Sequence, residues 1–128
     1  MAGPEEDFWP EDIAKTEMVT PVSMMRAQAA ILGQKTNNQL TASVQPISGA
    51  PPHFVWSFQI TSPSLGGYRY EIFRVQHPLT LYPAVFMWEG HANTTVQDDR
   101  SFKDFLKQII GSDQTKKIVQ ALLAQIVR

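Results

Sequence analysis

The stretch Phe54-Val55-Trp56-Ser57-Phe58-Gln59-Ile60 places its largest apolar side chains at every second position. Successive side chains on a strand point to opposite faces, so this period predicts a strand that buries Phe54, Trp56, Phe58 and Ile60 on one side. Upstream, Leu40, Ala42 and Val44 alternate with Thr41, Ser43 and Gln45, which gives a first strand over Leu40–Ile47. Ser48-Gly49-Ala50-Pro51-Pro52 joins these two segments, and Ser62-Pro63-Ser64-Leu65-Gly66-Gly67 follows the second; both are turn chemistry, with Gly66-Gly67 read as a hairpin turn. A third strand is expected over Tyr68–Val75. Its pattern breaks midway, with Tyr68, Tyr70 and Ile72 on one face and Phe73 and Val75 on the other, which suggests a bulge or a switch of face. Gln76-His77-Pro78 reads as a short turn. A fourth strand over Leu79–Trp88 is apolar on both faces and is interrupted by Pro83.

Connections this short favour antiparallel neighbours, because parallel pairing needs a longer crossover. A meander in the order 1-2-3-4 places Pro46 and Pro83 in the two outer strands, where a missing N–H is tolerated.

Helices flank the strands. Thr20-Pro21 pairs a good N-cap with proline at the first helical position, Val22, Met25, Ala29 and Leu32 follow at helical spacing, and Gly33 with Asn37-Asn38 supplies a stop. Ser101 and Asp104 resemble a capping box ahead of a stripe formed by Phe102, Phe105, Leu106, Ile109 and Ile110. Gly111 ends that helix, Ser112 or Asp113 can cap the next, and Ile118, Val119, Leu122, Leu123 and Ile126 repeat the pattern. The fold class is therefore α+β, a four-stranded antiparallel sheet in the order α-β-β-β-β-α-α. Four strands span roughly 19 Å, room for about two helices on one face. The third helix must stack on the others, cover the far face or meet a partner. The far face is expected to turn apolar at one corner, where Phe73, Val75 and either Tyr82 or the Phe86/Trp88 pair emerge.

The chain divides into an acidic, aromatic-containing segment, residues 1–19, and a single domain, residues 20–128. Absence of cysteine excludes disulfides and thiolate chemistry and suits a reducing, cytoplasmic setting. The first 30 residues carry no secretory pattern, and no apolar run is long enough for a bilayer, so no membrane is expected. Residues 1–20 hold six acidic groups against Lys15, which leaves residues 21–128 at +4 within a net charge of −1. The Lys and Arg are scattered, which argues against nucleic acid as a partner.

Familiar catalytic patterns are missing. There is no Gly-x-Ser-x-Gly elbow and no glycine-rich phosphate loop, and His53, His77 and His91 lack partners at helical ligand spacing. Glu89 and His91 are the best start of a metal site, but a loop is the simpler reading, and no metal or cofactor is expected. Asp98-Asp99 is read as the acidic entry of a helix. An enzyme would need His77, Tyr82, Glu89 and His91 to converge.

The head Glu5-Glu6-Asp7-Phe8-Trp9-Pro10-Glu11-Asp12-Ile13 mixes acids with large apolar groups, a composition that can dock through Phe8 and Trp9. The leading functional reading is a non-catalytic protein-interaction module of adaptor, chaperone or inhibitor type, with a protein partner or self-association as a homodimer. Its expected contact residues are Phe8, Trp9, Tyr82, Phe86 and Trp88, and the edges at Leu40–Ile47 and Leu79–Trp88 offer open ladders. The alternative is a small apolar ligand held by Phe54, Trp56, Phe58, Tyr68 and Tyr70, with an enzyme third. If Trp88 is a contact residue, Trp88→Ala leaves the denaturation midpoint nearly unchanged while weakening a partner or dimer contact; unfolding by this substitution places Trp88 in the core instead.

Overall fold

A computed structural model describes residues 5–48 and 53–126. Thr20 and Pro21 act as their sequence suggests. The Thr20 hydroxyl accepts from the Ser23 backbone N–H at 3.1 Å, the Ser23 hydroxyl accepts from the Thr20 N–H at 2.9 Å, and helix α1 (Pro21–Lys35) follows. Asn37 and Asn38 then take left-handed backbone conformations, with φ of 51° and 61°, and turn the chain into strand β1 (Thr41–Ile47).

Antiparallel pairing continues through β2 (Phe54–Ser62), β3 (Tyr68–His77), β4 (Ala84–Trp88) and β5 (Thr94–Val96) in the order β1-β2-β3-β4-β5. Two helices follow, α2 (Asp99–Ile110) and α3 (Asp113–Ile126). The architecture is the expected α+β arrangement with five strands in place of four. The additional strand is three residues long, too short to display a period. Part of the expected turn between β1 and β2, residues 49–52, lies outside the described residues, as do residues 1–4 and 127–128.

The break in the β3 pattern is a bulge. Phe58 pairs with Phe73 and Gln59 with Glu71, so Ile72 is an extra residue on the β3 side. Phe73 and Val75 thereby return to the face that carries Tyr70, and pairing transfers this phase to Trp88 and Phe86 on β4. The large aromatic rows of β2, β3 and β4 then share one face. Phe58 stacks on Phe73 with ring centroids 5.1 Å apart, Phe73 lies 5.8 Å from Phe86, and Phe86 lies 4.7 Å from Phe102 of α2. Rings at these separations gain from both burial and the orientation of their quadrupoles.

Several sequence expectations are corrected by this geometry. The far face has no apolar corner built from Phe73 and Val75, because the bulge turns both inward; that face carries Thr41, Ser43, Gln45, Arg69 and Arg74, together with the half-buried Val55, Val85 and Met87. It also gains an ion pair, since the bulge brings Glu71 and Arg74 to one side, and Arg74 Nε donates to both Glu71 carboxylate oxygens at 2.8 and 2.9 Å. The Ser57 hydroxyl donates to Glu71 as well and is fully buried there. Phe86 and Trp88, expected to meet a partner, are 1% and 8% exposed and belong to the core. The expected fourth strand begins only at Ala84, His77 continues β3 where a turn was expected, and β5 covers β4, so the open edges are β1 and β5. The capping box of α2 joins Asp98 to Ser101, one turn earlier than expected.

All three helices lie over the same face. α1 packs on β1 and β2, α2 places Phe102 and Phe105 against Phe86, and α3 sits by the 3-10 turn Pro63–Leu65 that precedes Gly66 and Gly67. Those two glycines adopt φ of 71° and 77°, a conformation that side-chain-bearing residues resist.

Burial of Trp88 reverses the earlier expectation for its substitution: Trp88→Ala should cost about 3–5 kcal/mol by denaturant unfolding. Its indole N–H has no acceptor among the described residues, so Trp88→Phe, which keeps a ring and removes that donor, should cost at least about 2 kcal/mol less. Equal losses for the two variants would contradict this placement. Deleting Ile72 should abolish cooperative unfolding, because a one-residue slip reverses the faces of the strand beyond it; retention of a native-like melting transition would show that the bulge is dispensable.

Candidate functional site

The polypeptide enters the domain at Val19 and Thr20, between two surface depressions. On one side Thr20 and Val22 join Phe54, Trp56, His77 and Leu79 around a hollow of about 180 Å³. On the other, Val19 and Met24 of the α1 end face Leu106 and Ile110 of α2 across a groove of about 440 Å³, bordered by Lys103 and Lys107.

The hollow has a hydrogen-bonded wall. The Trp56 indole N–H donates to His77 Nε2 at 3.0 Å, and an indole N–H can only donate, so Nε2 carries no proton. Nδ1 therefore bears the proton and donates to the Pro78 carbonyl at 2.7 Å. The Leu81 backbone N–H donates to the same carbonyl at 2.9 Å, with Leu81 at a φ of 78°. This tight loop turns Leu79 outward, where it is 77% exposed. Phe54 tilts against the His77 ring at 5.5 Å, and the Arg26 guanidinium lies 5.5 Å from the Trp56 ring centroid, a cation–π distance.

The acidic head has local turns but buries neither aromatic group. Asp7 accepts from the Trp9 N–H at 2.9 Å, Ile13 N–H donates to the Pro10 carbonyl at 3.1 Å, and Lys15 N–H to the Asp12 carbonyl at 2.9 Å. Phe8 remains 85% exposed and Trp9 71%. Ile13, Met18 and Val19 are exposed too, and so are Phe54 and Leu79 at the hollow. Seven of the nine large exposed apolar side chains among the described residues thus lie on the head or at its point of attachment. Single exposed apolar residues need no explanation, whereas a concentration of them along one segment and its root is uncommon.

Of the five expected contact residues, Phe8 and Trp9 are exposed on the head, while Phe86 and Trp88 are internal. Tyr82 is half-buried. Its hydroxyl donates to Asp99 at 2.6 Å and its ring meets Phe102 edge-on at 6.5 Å, so it ties the loop before β4 to the start of α2. Burial, followed by the bond to the Asp99 carboxylate and its charge, raises the Tyr82 pKa above the ordinary phenol value. Asp98 accepts from Ser101 at the helix entry, which holds its carboxyl below the usual range.

His77, Tyr82, Glu89 and His91 bond to four different partners. His77 meets Trp56, Tyr82 meets Asp99, Glu89 accepts from the Tyr70 hydroxyl at 3.3 Å, and His91 stacks on Trp88 while bonding Gln114 at 3.0 Å. Tyr70 also has a raised pKa, through burial first and the nearby Glu89 charge second. Glu89 and His91 therefore turn to separate neighbours, and no cluster of three or more His, Cys, Asp or Glu that could hold a metal occurs among the described residues. The aromatic face is divided as well: Phe58 is internal, Phe54 edges the hollow, and Tyr68 and Tyr70 line a cleft beside Ile118 and Leu122 at the α3 end.

Sequence reading missed Phe54 and Leu79 as surface residues, and missed the groove. A usable signal existed for the groove, since Lys103 and Lys107 repeat at i, i+4 beside Leu106 and Ile110. No protein-family model, curated protein or solved structure matches this chain.

The folded state holds the Tyr82 proton more tightly than an unfolded chain does, so its contribution to stability is complete below about pH 10 and is lost as pH rises past that value. Tyr82→Phe should therefore flatten the loss of stability between about pH 10 and 12, measured by denaturant unfolding at each pH. An unchanged slope would mean that Tyr82 ionises alike in both states.

Proposed function

We propose that this chain is a protein-interaction module that works through its N-terminal pole, with Phe8 and Trp9 as anchors and Phe54 and Leu79 beside them. One observation carries the reading: the gathering of exposed apolar side chains on the head and around its root. Aromatic anchors in an otherwise charged segment supply large contact area at modest entropic cost, which is how recognition segments gain affinity. The five acids Glu5, Glu6, Asp7, Glu11 and Asp12 around them add selectivity for a surface that is apolar at its centre and basic at its rim. The domain acts as a rigid base, since the hydrogen-bonded Trp56–His77 wall and the Thr20 cap fix where the head departs.

The reading is tested by immobilising the full chain, exposing it to extract of its source cells and quantifying retained proteins by mass spectrometry. A specific protein should be retained by the wild type and reduced at least about tenfold by Phe8→Ala/Trp9→Ala, whose thermal unfolding should match that of the wild type because both side chains are exposed. Identical retained sets for the two proteins would refute it.

A further inference from the structure

The groove between α1 and α2 matches the chemistry of the head. Its floor is made by Val19, Met24, Leu106 and Ile110, its border carries Lys103 and Lys107, and no carboxylate among the described residues lines it. The head offers the reciprocal set: Phe8 and Trp9 to fill an apolar channel, and five acids within residues 5–12 to meet ammonium groups. Two lysines four apart on a helix lie on one side of it, so both charges serve the same border. The hollow at Phe54 is lined by Thr20, Val22, aromatic, histidine and leucine side chains, and the one guanidinium placed beside it, that of Arg26, already lies over the Trp56 ring, whereas Lys103 and Lys107 line the groove itself.

We infer that the groove is a receptor for the acidic head of a second copy of this chain, exchanged reciprocally in a two-fold dimer. This deepens, and rests on, the reading of the head as an interaction element. The head stands off its own body although its root, Val19, is part of the groove lining. Phe8 and Trp9 precede that root by about ten residues, a reach of up to roughly 33 Å, which is ample to cross to a neighbouring molecule. Each large aromatic side chain buries about 150–250 Å² when enclosed. Two heads, with the groove walls they cover, therefore reach the roughly 1,200–2,000 Å² that specific interfaces bury. Symmetry closes the arrangement, because each copy gives one head and receives one, and nothing is left to extend into a polymer.

Sedimentation equilibrium and native mass spectrometry on the purified full chain test this without any other protein. The wild type should be a dimer at about 10–100 μM, and about tenfold weaker when salt is raised from 50 to 500 mM, since exposed charge pairs are screened. Two charge reversals then isolate the contact. Glu5→Lys/Glu6→Lys/Asp7→Lys sets a basic head against a basic groove, and Lys103→Glu/Lys107→Glu sets an acidic head against an acidic groove. Each variant alone should be monomeric, and an equimolar mixture should restore a heterodimer, because both exchanged contacts are then complementary.

A wild-type monomer over this range overturns the inference. So does a dimer that persists in either variant, or a mixture that stays monomeric. A monomer in which a carbodiimide cross-link joins Lys103 or Lys107 to the same chain's head assigns the groove to its own head, and a retained anionic amphiphile assigns it to a small ligand; either result also overturns the exchange. Failure here with Phe8- and Trp9-dependent capture intact would leave the interaction reading standing and refute only the second copy as occupant.

Discussion

The extra residue Ile72 in β3 sets the phase of everything after it. Without an insertion, Phe73 and Val75 would point away from Tyr70, and the pairing of β3 with β4 would carry Phe86 and Trp88 to the wrong side. With it, Phe58, Phe73, Phe86 and Phe102 form an unbroken run of rings from the second strand to the second helix. The same insertion places Glu71 and Arg74 together on the hydrated face. One local irregularity thus builds the interior and also completes the polar pairing on the opposite surface.

That phase also decides what is left for contact. Once β4 is turned inward, its aromatic groups are internal, and most of the large exposed apolar side chains among the described residues lie on the head and around its root. There the Pro78 carbonyl holds His77 and Leu81 at once, which fixes the loop that lifts Leu79 outward. His77 in turn supports Trp56 and Phe54. The pole is therefore a rigid apolar platform with a charged, aromatic strand of chain attached to it.

Much of the fold was legible because local chemistry and periodicity agreed. Thr20 with Pro21, the alternation in β2, and the stripes of α2 and α3 each specify their element without help from the rest of the molecule. The bulge was visible as a broken alternation, but its direction was not, because sequence alone cannot say which half of β3 keeps the phase. That ambiguity misassigned Phe86 and Trp88. β5 was hidden because Thr94-Thr95-Val96 is too short to show a period, and it forms only where Ala84, Val85 and Phe86 present a ladder. At the candidate site, Phe8 and Trp9 could be found by composition. Phe54 and Leu79 could not, since their exposure depends on where the sheet ends and on a loop held by a carbonyl far from any motif.

The outer strand β1 contains Pro46, whose ring replaces a hydrogen-bond donor. At the opposite margin β5 is only three residues long. A foreign strand aligned on either margin would find an incomplete or very short row of backbone partners, which discourages the sheet from growing into fibrils through its edges. Such a molecule can carry exposed bulky apolar groups on one segment at high concentration with little tendency to assemble through its sheet, so that surface hydrophobicity and fibril growth are kept apart.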